Sequence, residues 1–235
     1  MTFDIILGTM RLSHKYQMEV LQRGIRKKLG KLWPVKFSDL MARLSDIGYL
    51  SVAKTTALIE TAQRCQANEF LPAAFYELAS AWVTRREEII SIISPDNLAR
   101  LSVGRARSEQ RLRTIQDNSS DQMWQPSLAS RERTIFHHRL NFPRCHKYPS
   151  SWCTTIIPAF RSKVSPLLHG GMFAIPAIQQ CKRTDLGNGC EPCKDWFMDV
   201  LRDKIEELWD NIPIYFNLAD PEVDSSNALL RSANT

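Results

Sequence analysis

The chain has 235 residues, 43% of them hydrophobic and 24% charged, with a formal net charge of +6. That length and apolar content can bury the core of one or two domains, which excludes an intrinsically disordered chain. Only nine glycines and many apolar repeats at steps of three and four favour helix over sheet, so the expected fold class is mostly α.

The first ten residues, MTFDIILGTM, lack the charged start, long apolar stretch and cleavage site of a secretory signal. No apolar run approaches the roughly 20 residues that a membrane span needs. The expected location is therefore cytoplasmic or nuclear, where Cys65, Cys145, Cys153, Cys181, Cys190 and Cys193 should not form disulfides.

Phe3 to Leu32 reads as two helices broken near Ser13, His14 and Lys15. The apolar repeat runs through Ile6, Met10 and Leu12 in the first and through Met18, Leu21, Ile25 and Leu29 in the second. Trp33-Pro34 is the stop, because the residue before proline avoids the α region. Ser38 is placed as the cap of a short helix to Ser45, and residues 53–67 form another with Leu58, Ala62 and Cys65 on one stripe. Pro72 suits a first helical turn, and Phe75, Leu78 and Trp82 mark a core-facing stripe beyond it. Ser94 then caps, and Pro95 opens, a helix carrying Leu98 and Leu101 that Gly104 is expected to interrupt.

Residues 117–152 change character, with prolines 126, 143 and 149 among Arg and His. Such an irregular connector is long for a compact domain, which implies a domain boundary, partial disorder or a local clamp. Residues 154–164 are placed as a short helix and Gly170 to Pro176 as a loop. Cys190-Glu-Pro-Cys193 stands directly before a long two-faced helix. Phe197, Leu201, Ile205, Leu208, Ile212 and Phe216 recur at helical steps, with charged residues opposite. Pro213 should end or kink that helix. The expected division is 1–33, 34–117, a basic connector 118–153, a cysteine-bearing module 154–218 and a flexible tail 219–235.

The charge is uneven, with seven Lys/Arg against two acids in residues 1–33 and ten against four in residues 100–147. Clustered cations suit nucleic acid or an acidic partner, and the plainer reading is solvated helix faces and a basic loop.

The sharpest chemical reading is structural zinc. Cys190 and Cys193 have a spacing that lets both thiolates reach one ion, and the helix that follows favours thiolate charge. Cys145 and Cys153 are the candidate second pair, with His146 and Cys181 as alternates, and such a clamp would hold the connector folded. Buried or incidental cysteines are the competing account. A thiol oxidoreductase is a weaker alternative, because the polar residues 182–189 stand where a buried strand should precede the motif. No phosphate-cradling glycine loop, nucleophile elbow or zinc-protease motif occurs. His14 and the His137-His138 pair are read as structural or surface residues, and Trp82, Trp196 and Trp209 as core.

Three segments carry a family resemblance: FDIILGTMRLSHKY at residues 3–16 followed by Val20, Leu21 and Arg23; FLPAAFY at residues 70–76; and Cys190-x-x-Cys193 with ELWDNIPIYFNL at residues 207–218. In this order they resemble the last BTB helices and the C-terminal part of the basidiomycete-type fungal BTB/POZ domain-containing proteins. The resemblance implies a helical array like the region following a BTB domain, plus a cysteine-containing C-terminal module ending in a long amphipathic helix. Most of the BTB fold is missing, which suits a truncated or misannotated gene product or a lineage that lost its interaction domain, and a BTB-type homodimer is not expected. The resulting expectation is a non-enzymatic protein–protein interaction or adaptor protein with no catalytic residues and no membrane association. Its runner-up is a zinc-stabilised nucleic-acid binder using Arg100, Arg105, Arg107, Arg111, Arg113, Arg131, Arg133, Arg139 and Arg144.

Overall fold

The computed structural model describes residues 2–47, 50–117, 183–186 and 190–218. These are 83% helical, with no strand among them, so the protein is mostly α. The chain divides into two compact units, residues 1–107 with 209–235, and residues 108–208.

The first unit opens with α1 (Phe3–Lys15) and α2 (Glu19–Leu29). α1 buries Ile6, Leu7, Met10 and Ser13 and packs on α2 and on α4 (Val52–Arg64). The break between α1 and α2 falls at Gln17, whose φ of 54° lets the Met18 amide reach back to the Ser13 carbonyl at 2.8 Å. That closure satisfies the carbonyls which a helix end leaves open. Gln66 (φ 52°) closes α4 in the same way, with the Ala67 amide on the Ala62 carbonyl at 2.8 Å. α2 ends at Leu29, before the expected Trp33-Pro34 stop. The Trp33 amide still bonds the Leu29 carbonyl at 2.8 Å, and the indole is fully buried against Phe3 with ring centroids 5.5 Å apart.

α3 (Phe37–Ile47) begins one residue before Ser38, so that serine lies inside the first turn rather than capping it. Its hydroxyl bonds Asp39 instead, at 3.4 Å. Ser51 is the cap of α4, its Oγ accepting the Lys54 amide at 3.3 Å. α4 packs most extensively on α5 (Leu71–Ile92), which carries Pro72 in its first turn and buries Ala73, Ala74, Phe75, Tyr76 and Leu78. Arg85 leaves helical geometry (φ −133°, ψ 29°) and kinks α5, beside Thr84, whose hydroxyl donates to the Ala81 carbonyl at 3.3 Å.

Trp82 is half-exposed, which corrects the core-facing assignment. It precedes the kink, and its ring carries the guanidinium groups of Arg86 and Arg105 at 5.6 and 5.0 Å.

α6 (Pro95–Asp117) starts as expected, with Ser94 Oγ accepting the Asn97 amide at 3.4 Å. It runs unbroken through Gly104, against the expected interruption. A Cβ at Gly104 would overlap Cδ1, Cγ and Cε1 of Phe216, so the glycine is there to admit that ring. Phe216 follows α8 (Ile212–Tyr215), which Pro213 helps to start after the preceding helix has ended at Asp210. Phe216 stacks on Phe75 at 5.5 Å, and Asn217 (φ 53°) closes α8 with the Leu218 amide on the Pro213 carbonyl at 2.7 Å. Trp209 is buried between Phe37 and Tyr76 at 5.6 and 5.7 Å, and its Nε1 donates to the Val35 carbonyl at 3.1 Å. Large side chains so buried each contribute about 1.5–3 kcal/mol, which fastens residues 209–218 into the first unit.

In the second unit the described residues comprise the end of α6, a short 3-10 turn (Arg183–Leu186) and α7 (Glu191–Asp210) up to Leu208. Phe197, Leu201, Ile205 and Leu208 are buried, as their spacing predicts. Arg111 on α6 pairs with Glu207 on α7 at 2.5 Å. No helix among the described residues is long and apolar enough to cross a membrane.

Candidate functional site

Cys145, His146, Cys153 and Cys181 lie outside the described residues, so the expected second half of the zinc clamp does too. Cys190 is half-buried immediately before α7, and Cys193 stands in the first turn of that helix. The pair therefore sits where a helix N-terminus favours thiolate charge. Among the described residues no group of three His, Cys, Asp or Glu side chains is placed to hold a metal. Cys65 ends α4 in the core, where burial pushes its thiol above the ordinary value despite Arg11, Arg26 and Arg64 nearby.

The arginines of the basic stretch sort by their partners. Arg107 donates to the Ile214 and Tyr215 carbonyls, both at 3.3 Å, and to Asn217 Oδ1 at 2.8 Å, tying down the end of α8. Arg111 is engaged by Glu207, which Lys204 also meets at 2.8 Å. Burial alone would raise the Glu207 carboxyl, but the hydrogen bonds and charges of Lys204 and Arg111 outweigh it and hold the group below the ordinary glutamate value. Arg105 covers Trp82, while Arg100 is half-exposed and Arg113 exposed. Arg131, Arg133, Arg139 and Arg144, with His137 and His138, lie outside the described residues.

Among the described residues the deepest charged group is the Glu77 carboxylate, paired with Arg43 and accepting the Thr55 hydroxyl at 3.3 Å; the two ion-pair side chains are only 3% and 4% exposed. α3, α4 and α5 each supply one of these three residues. A carboxylate so enclosed pins helices together and is not positioned to meet a solute.

A different surface was misassigned by periodicity. Leu12, Met18 and Leu21, expected to share the apolar stripes of the first two helices, are all exposed, and Ile5, Tyr16 and Val20 join them. Half of the large hydrophobic side chains exposed among the described residues thus belong to this one helix pair. The signal available in the sequence was that α1 carries large apolar residues on two sides, Ile5 and Leu12 standing apart from Ile6, Leu7 and Met10, whereas a helix with one buried face needs a single apolar stripe. His14 is half-buried in the last turn of α1, consistent with a structural place.

No protein-family model, curated protein or solved structure matches this chain.

Proposed function

We propose that the protein is a non-enzymatic interaction protein of the adaptor kind, akin to the fungal BTB domain-containing proteins it resembles and working in the cytoplasm or nucleus. One observation carries this reading: the large apolar side chains of α1 and α2 that stand out from a helix pair whose other face is already buried in the first unit. Soluble proteins scatter such residues singly, and a concentration on one pair of elements marks a surface used by something else. A structural zinc clamp through Cys190, Cys193, Cys145 and Cys153 fits the same reading, because it would hold the second unit in shape without adding chemistry.

The test compares proteins captured by the full chain with those captured by a Leu12→Glu/Tyr16→Glu variant of equal melting temperature. The reading expects specific partners that the variant loses. An identical set with both, or turnover of a small metabolite by the pure protein, would overturn it.

A further inference from the structure

The exposed apolar residues of α1 and Tyr16, which follows it, fall on a line with Gly8. Ile5, Gly8, Leu12 and Tyr16 are separated by steps of three and four, so they lie along one side of the helix. Ile5, Leu12 and Tyr16 are 53%, 56% and 62% exposed. The side at about a third of a turn away carries Ile6, Leu7, Met10 and Ser13 into the core. Gly8, in the middle of the line, has nothing within 4 Å of where a Cβ would stand. Two large residues flanking an open glycine make a notch about one helical turn long, the shape that accepts a side chain from a second helix. Met18, Val20 (77% exposed) and Leu21, at the start of α2 and within five residues of Tyr16, are exposed as well.

Charge identifies the occupant. Residues 1–33 hold seven Lys/Arg against Asp4 and Glu19. Arg26 is committed to Glu69 at 2.6 Å and Arg11 to the Thr61 hydroxyl at 2.7 Å. Lys15, Arg23, Lys27 and Lys31 are exposed, and the Lys15 ammonium lies 5.5 Å from the Tyr16 ring centroid, so cation and apolar line adjoin. A second copy of this chain meeting it face to face would bring the same positive charge to the contact and be repelled. An anionic bilayer would satisfy the charge, but it takes a continuous apolar face, and the opening at Gly8 interrupts this one between Ile5 and Leu12.

We propose that the line Ile5–Gly8–Leu12–Tyr16, with Met18, Val20 and Leu21, docks an acidic amphipathic helix of a partner protein, whose apolar ridge enters at Gly8 and whose carboxylates meet the α2 cations. This inference rests on the interaction reading above and names the partner's chemistry.

The probe is a labelled synthetic helix with leucines at steps of three and four and glutamates elsewhere, titrated against the full chain by fluorescence anisotropy. Saturable binding is expected, weakening as salt is raised. A peptide of the same composition with its leucines shuffled off the helical line, and one with lysine replacing glutamate, should each bind at least about tenfold more weakly. Gly8→Leu, which fills the notch, and Leu12→Glu should each cost at least about tenfold in affinity without loss of helical circular dichroism, Gly8→Leu raising the melting temperature slightly because leucine favours the helix more than glycine does. Should either variant fold poorly, Val20→Glu, at a largely exposed site, serves in its place.

Absent binding, equal binding of the shuffled peptide, or indifference to all three substitutions overturns the proposal. So does concentration-dependent self-association, or binding to phosphatidylserine-rich vesicles, that Leu12→Glu abolishes. These last outcomes reassign the surface to a second copy or to a membrane. The partner-capture comparison above is a separate readout, so loss of the acidic-helix proposal and loss of the interaction reading give different results.

Discussion

Replacing Gly104 with alanine tests whether Phe216 is packed as described. In the middle of an ordinary helix this change gains about 1 kcal/mol, since glycine gives up more backbone freedom on folding. Here the new methyl would land on the Phe216 ring. The ring is fully buried and stacked on Phe75, and the overlap includes Cγ, close to the root of the side chain, so a rotamer change cannot relieve it. Residues 212–217 would have to move instead. Overpacking of this kind costs about 1–3 kcal/mol, and the rooted overlap places it in the upper half of that range. After subtracting the helix gain, Gly104→Ala should destabilise by about 1–2 kcal/mol, lowering the melting temperature by roughly 2–8 °C at about 2–4 °C per kcal/mol.

The assay is urea unfolding followed by circular dichroism and tryptophan fluorescence, in wild type and in a Phe216→Ala background. Phe216→Ala alone should cost about 3–5 kcal/mol, and it vacates the space that the methyl needs. In that background Gly104→Ala should turn stabilising by about 1 kcal/mol, a coupling of about 2–3 kcal/mol between the two positions. If Gly104→Ala stabilises the wild type, or if the two changes simply add, the ring does not sit over the glycine and the account of α6 fails.

Arg43→Met should destabilise by about 3–5 kcal/mol because it leaves the Glu77 carboxylate buried without its cation, whereas Arg43→Met/Glu77→Leu should recover most of the loss in denaturant melts. Equal losses for the single and double variants would refute the pairing. Glu207→Gln removes a half-exposed ion pair and should cost about 0.2–1 kcal/mol at neutral pH. Because the folded-state carboxyl lies below its ordinary value, this contribution is complete above about pH 4.3 and is lost as pH falls through the folded value. Thermal melts of wild type and variant should therefore converge in acid, and a gap that widens there would contradict the sign. Gln66→Gly should stabilise by up to about 1 kcal/mol in the same melts, since glycine adopts positive φ without the Cβ penalty; a loss would mean that the glutamine side chain contributes more than its backbone costs. For zinc, mass spectrometry should find about one equivalent in the purified protein, lost in Cys190→Ser and Cys145→Ser. Metal-free protein, with both variants melting like wild type, ends the clamp.

Helix positions were legible wherever the signal was local. Pro72 and Ser94-Pro95 announce their own helix starts, and the stripe of α7 can be read from its spacing alone. The misreadings share a non-local cause. Gly104 looks like a breaker until Phe216, far along the chain, is seen to need its missing side chain. Gln17 and Gln66 close helices in a conformation that sequence reading credits to glycine or asparagine, so these ends carry no visible mark. In α1 large apolar residues stand on two sides, and their presence on both leaves periodicity a poor guide to which side meets the core. The structure makes that choice by burying Ile6, Leu7 and Met10 and leaving Ile5 and Leu12 outside.

The same non-locality governs how far a charge count bears on function. Residues 100–147 hold more cations than residues 1–33, and on composition alone they are the better polyanion site. In the described part of that stretch, however, Arg107 meets three acceptors at the end of α8, Arg111 meets Glu207 and Arg105 covers Trp82. A guanidinium fixed by protein partners keeps its remaining N–H donors but not its freedom to turn, so it can meet a phosphate only from the side left open or by loosening the contacts it already makes. On α1 and α2 the balance is reversed. Arg11 and Arg26 carry structural bonds, Lys15 stands exposed beside Tyr16 at the end of an apolar line, and Arg23, Lys27 and Lys31 are exposed along and just after α2. A partner that brings both carboxylates and an apolar ridge gains from both features at once, whereas a bare polyanion gains from one. That difference favours a protein helix over nucleic acid as the ligand of this surface.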